Sequence, residues 1–143
     1  MASKMSSDEG RTPTDTYKAN IQKVQDEIAS KGGLDEAAKI TFKRVAGFAL
    51  EAIEDIKKCN TIDALDGLLL VESQGKQLIE ESWGIYSNNV WKLLALAKED
   101  TKEDTQARSA QVELSKQLRN LVFWTRNAII YELHNTCKCK DSA

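Results

Sequence analysis

The spacing of apolar residues changes character along the chain. Between residues 17 and 28 they recur at intervals of four, three and four (Tyr17, Ile21, Val24, Ile28). That is a narrow helical stripe of the coiled-coil kind. Thr12-Pro13-Thr14-Asp15 precedes it and has the chemistry of a helix start. Thr12 can cap, Pro13 fits the first turn, and Asp15 stands where a capping box takes an acid. Lys31-Gly32-Gly33 closes this first helix with a cation and a glycine cap, after a run to about Ser30.

A second helix is predicted from an Asp35 cap to about Lys58. Its buried face is Ala38, Phe42, Val45, Ala49, Ala52, Ile53 and Ile56, and Glu51, Glu54 and Asp55 oppose Lys57 and Lys58 on the solvent side. Asn60 or Thr61 caps a third helix. Its Leu68-Leu69-Leu70-Val71 run covers every face and predicts deep burial, and Leu78, Ile79 and Trp83 continue the pattern. Gly84-Ile85-Tyr86-Ser87-Asn88-Asn89 predicts a break, with Ser87 or Asn88 capping a short fourth helix through Val90, Trp91, Leu93, Leu94, Leu96 and Ala97. A kink in one long helix is the alternative. Lys98-Glu99-Asp100-Thr101 is followed by the same four residues at 102–105, which reads as a solvated connector.

Residues 118–133 are the most apolar and aromatic stretch. At about 100° per residue, Ala107, Ala110, Leu114, Leu118, Leu121, Val122, Ala128 and Ile129 gather on one core-facing side. Val112, Phe123 and Ile130 form a second strip, and Trp124 with Tyr131 a third. A helix apolar over most of its circumference is either enclosed by others or set against another chain. The stretch is too short for a membrane span and carries Arg119 and Arg126. Arg108, Arg119 and Arg126 nearly superpose on the wheel. Such a row can hold a partner's carboxylates or phosphates, but pairing with acids on a neighbouring helix is the favoured reading.

One Pro and seven Gly in 143 residues favour helices over a turn-rich β fold, and no alternating strand pattern is present. The expectation is therefore all-α: a compact bundle of four to five mostly antiparallel helices. Residues 1–11 are expected as a disordered tail, 12–136 as a single domain, and 137–143 as a short frayed tail. The net charge of −2 argues weakly against a general nucleic-acid binder, because the charge is segregated. Residues 60–90 hold five acids and one Lys, whereas residues 105–140 hold six cations and two acids.

The chemistry needed for catalysis is thin. His134 is the single histidine, no glycine-rich phosphate cradle occurs, and Glu80 and Glu81 are adjacent and so point different ways on a helix. His134, Cys137 and Cys139 are weak candidates for a metal site, with Cys59 a conceivable fourth ligand. Cys-x-Cys is not the usual knuckle spacing, however, and no metal or other cofactor is expected. Cys59 reads as a small core residue. Palmitoylation of Cys137 or Cys139 is a further reading, with unmodified tail cysteines ahead of it. Three cysteines cannot all pair within the chain and no apolar leader follows Met1, so a reduced, cytoplasmic setting is expected.

The function expected is a non-enzymatic protein–protein interaction or adaptor module, self-associating into a homo-oligomer. Its candidate interface is Arg119, Phe123, Trp124, Arg126, Ile130 and Tyr131, since Trp, Tyr and Arg are common interface anchors. The first alternative is a nucleic-acid-associated structural protein, viral nucleoprotein-like or capsid-like, using the basic last helix. The second is a small metal protein or enzyme using the C-terminal His and Cys residues.

Overall fold

The computed structural model describes residues 11–97 and 102–137, with side chains described for 11–88 and 105–137. Among the described residues there are four helices: α1 (Pro13–Ala29), α2 (Glu36–Lys57), α3 (Thr61–Ala97) and α4 (Lys102–Asn135). Consecutive helices run antiparallel. Helices α2 and α4 touch across the middle of the bundle, while α1 and α3 lie on opposite flanks, each against both of the central pair. Among the described residues α1 and α3 do not touch.

The start of α1 has the expected capping box. Thr12 Oγ1 accepts from the Asp15 N–H and Asp15 Oδ2 accepts from the Thr12 N–H, both at 3.2 Å, with Pro13 in the first turn. The Thr12 N–H holds the Asp15 carboxyl below its ordinary pKa. Ser30 ends the helix, and Gly33 takes the left-handed turn at φ 87°. A Cβ on Gly33 would lie 3.0 Å from the Gln106 carbonyl oxygen and 3.2 Å from the Ala107 Cα. Glycine is therefore required there both by the turn and by the close approach of α4.

All seven apolar residues expected on the inner face of α2 are buried, with Ala46 beside them. Ala38, Phe42, Val45, Ala46, Ala49 and Ile53 join Ile21, Val24 and Ile28 of α1, Val71 and Leu78 of α3, and Leu114, Leu118 and Leu121 of α4 in the main core. Each large aliphatic side chain fully removed from water contributes about 1.5–3 kcal/mol. Helix α3 comes close to α2 at Gly67, where an added Cβ would lie 2.8 Å from that of Ala52.

Helix α2 ends in a Schellman motif. The Cys59 N–H donates to Ile56 O and the Asn60 N–H to Asp55 O, each at 2.9 Å. Cys59 occupies the left-handed position at φ 61°, a seat that helix ends usually give to glycine. From there it forms a disulfide with Cys137, whose Cα is 5.4 Å away. Cys137 is fully buried in a second, smaller apolar cluster with Ile56, Ala64 and Ile129. Thus Cys137 does not lie in a frayed tail, and Cys59 is more than a small core residue.

Two other expectations are corrected. Of the Leu68–Val71 run only Val71 is fully buried, while Leu69 is 61% and Leu70 42% exposed. The reason is that α3 is covered on one arc only, by α2 and α4. The predicted break at residues 84–89 is absent, and α3 continues through it as one helix. Trp83 and Tyr86, in edge-to-face contact at 5.5 Å, hold this turn against α4. The Trp83 indole N–H donates to Ser115 Oγ at 3.0 Å and the Arg108 Nε–H to Tyr86 Oη at 3.2 Å. Helix-compatible packing outweighs the roughly 1 kcal/mol that a mid-helix glycine costs. The side chains of Val90, Trp91, Leu93, Leu94 and Leu96, the connector at 98–101, and the tails 1–10 and 138–143 lie outside the described residues.

Candidate interaction surface on helices α3 and α4

Helix α4 has two unlike faces. The inner one is apolar with polar side chains that are internally matched. Ser82 Oγ pairs with Gln111, and Thr125 Oγ1 donates to Leu121 O at 2.6 Å. Near the end of α4, Glu132 is 6% exposed and accepts from Thr14 Oγ1 at 2.6 Å and from Thr136 Oγ1 at 2.7 Å. This clamp joins the first turn of α1 to the last of α4. Nothing in the sequence signals it, because Thr14 and Glu132 are 118 residues apart. Among the described residues no buried side-chain nitrogen or oxygen lacks a hydrogen-bond partner.

The outer face of α4 follows Val112, Lys116, Arg119, Phe123, Arg126 and Ile130, all exposed. Phe123 is 58% exposed, Val112 53% and Ile130 43%. This stripe intersperses apolar and cationic side chains and holds no carboxylate. Among the described residues no ion pair forms on Arg119 or Arg126, against the favoured reading of that row. Arg108, the third member, bonds Tyr86.

Beside it, the outer face of α3 carries Ile62, Leu65 and Leu69 toward its start and Glu72, Lys76 and Glu80 further on, all exposed. Between the two faces runs an open groove of about 330 Å³, lined by Glu72, Gly75, Lys76, Ile79 and Glu80 of α3 and by Leu118, Arg119 and Val122 of α4. A larger hollow, about 940 Å³, lies between the end of α1 and the start of α4, lined by Glu27, Lys31, Gln106, Ser109 and Glu113 among others. Size alone does not decide between them.

The six expected interface residues separate. Arg119, Phe123, Arg126 and Ile130 share the outer face. Trp124 is half-buried against the main core and lines a shallow recess with Asn20, Lys23 and Val24 of α1. Tyr131 is half-buried. The wheel placed the exposed strip well. What it missed was its continuation onto α3 through Leu65 and Leu69, of which Leu69 belongs to the Leu run that suggested burial.

His134 is exposed, Cys137 is in the disulfide, and Cys139 lies outside the described residues. Among the described residues no group of three His, Cys, Asp or Glu side chains is placed to hold a metal ion. No helix among them is long and apolar enough to cross a membrane. In comparisons with family models, curated proteins and solved structures, none matches this chain.

Proposed function

We propose that this chain is a non-enzymatic protein–protein interaction module that self-associates through the outer faces of α3 and α4. The observation that carries the reading is the exposure of Leu69, Phe123 and Ile130 on adjacent faces of a bundle whose core is complete without them. Scattered exposed apolar residues are ordinary, but a contiguous aromatic and aliphatic stripe bordered by Arg is the usual make-up of an interface centre.

The test is the mass in solution, by light scattering, of the chain and of a Phe123→Ser/Ile130→Ser variant. The wild type should run at a multiple of its 16.0 kDa chain mass. The variant should fall to monomer and keep the wild-type melting temperature. A wild type that stays monomeric at high concentration would remove the self-association.

The exposed cations Lys116, Arg119 and Arg126 favour a second reading, binding to nucleic-acid phosphates. Salt-sensitive retention on immobilised DNA or RNA would support it. The first reading is preferred because those cations are interspersed with Val112, Phe123 and Ile130 and lie beside an acidic helix. As to setting, a disulfide persists in oxidising compartments and is rare in reducing ones. A cytoplasmic module would carry Cys59 and Cys137 as thiols. Counting free thiols in protein taken from cells under alkylation decides between the two.

A further inference from the structure

We infer that the occupant of the α3–α4 outer face is a second copy of this chain, related by a two-fold axis parallel to the helices, so that α3 of each copy lies on α4 of the other. The inference rests on the proposed self-association and adds its geometry.

Charge argues for this pairing. The outer face of α3 carries Glu72 and Glu80 with Lys76 between them and is acidic on balance, while that of α4 carries Lys116, Arg119 and Arg126 and no acid. A dimer with α3 on α3 and α4 on α4 would set like charges together, which costs interface free energy. A dimer with α3 on α4 sets the face that is acidic on balance against the cationic one. Two-fold symmetry then makes the match twice over.

Register argues for it too. Within one chain the helices are antiparallel, with Ala64 beside Ile129 and Gly75 beside Leu118. Along the bundle axis this puts Leu65 within a turn of Ile130, Leu69 within a turn of Phe123, and Glu72 within a turn of Arg119. A two-fold axis parallel to the helices leaves heights unchanged. It therefore brings Leu65 of one copy to the height of Ile130 of the second, and Glu72 to that of Arg119. Apolar residues meet apolar ones toward one end and Glu72 meets Arg119 beside them, while Lys76 falls near the height of Lys116 further along. A two-fold axis across the helices would lose this agreement.

The experiment uses the full chain in two charge-reversed forms, Glu72→Lys/Glu80→Lys and Arg119→Glu/Arg126→Glu, and a third carrying all four changes. Sedimentation at low salt is the readout, with circular dichroism to follow helix content. Each two-site form alone should dimerise at least about tenfold more weakly than wild type. An equimolar mixture of the two should dimerise again, and so should the four-site form, because the exchanged positions once more face opposite charge. Wild-type dimerisation by both two-site forms would overturn the pairing while leaving self-association in place. Failure of both the mixture and the four-site form to recover would also overturn it. A monomeric wild type would overturn the pairing and the self-association together. If a reversed form loses its helix signal, Glu72→Gln/Glu80→Gln replaces it. Its dimerisation should lose most of the wild-type salt dependence, and full retention of that dependence would overturn the pairing.

Discussion

Helices α2 and α4 occupy equivalent central places, yet their solvent-facing backs differ. The back of α2 carries Lys43, Arg44, Glu51 and Lys57, with Ile40 as its one large exposed apolar residue. Its flank is tied to α1 by Lys18 Nζ and Glu54 Oε1 at 2.6 Å. The back of α4 exposes Val112, Phe123 and Ile130. Both helices bury a full inner stripe, so the fold makes the same demand of each. What α4 carries beyond that demand is what a partner would use. Burial explains the inner faces, and only the outer face of α4 calls for a second explanation.

The sharpest way to test this contrast is on α4 itself. Leu121→Ala, on the inner face, should cost about 2–5 kcal/mol in denaturant unfolding. Phe123→Ser, two residues on, should change monomer stability by no more than about 0.5 kcal/mol. A large loss at Phe123 in a monomer would make its ring part of the core and dissolve the distinction between the faces. Next comes the covalent tie between the ends of the two compared helices. Cys59→Ser with Cys137→Ser should cost about 2–4 kcal/mol under oxidising conditions. Cys59→Gly in place of Cys59→Ser should return about 1 kcal/mol, since the left-handed seat suits glycine. Equal melting of the two double variants would show that the seat carries no strain.

A smaller effect is expected at the α1–α4 clamp. Thr14→Val removes a donor to the buried Glu132 and should cost about 1–3 kcal/mol by thermal melting. The smallest is on the charged side of α2. The hydrogen bond from Lys18 holds the Glu54 carboxyl below its ordinary pKa. The pair's stabilisation is therefore full above the ordinary glutamate value and is lost as pH falls through the lowered one. Lys18→Met should flatten that acid limb only slightly, because both side chains are a third or more exposed. An unchanged acid limb would mean that the pair contributes nothing.

Local signals were legible in the sequence. The Thr12 capping box, the α2 stripe and the inner and outer strips of α4 each follow from residue type and a 3.6-residue period. Legibility fails where distant segments decide. The Leu68–Val71 run has the same period content whether a helix is enclosed or covered on one arc. Only the absence of α1 from that flank leaves Leu69 and Leu70 exposed. Gly84, Ser87 and Asn88 weaken a helix locally, and the Trp83 and Tyr86 contacts to α4 override them. Cys59 and Cys137 are 78 residues apart, and no spacing rule pairs them. For the candidate surface, the α4 half was readable on a wheel. The α3 half required knowing which arc of α3 its neighbours leave open.

The disulfide also gives the chain a topology that its helices do not. A bond from Cys59 to Cys137 closes a covalent ring around all of α3 and α4 and leaves α1 and α2 as an arm outside it. The oxidised molecule is a lariat. A protease cutting once anywhere between the two cysteines opens the ring without releasing a fragment, and the nicked chain keeps its full mass until it is reduced. A cut between α1 and α2 leaves α1 held by its non-covalent contacts alone. The two helices that carry the proposed docking face are thus the two that a single cut cannot separate.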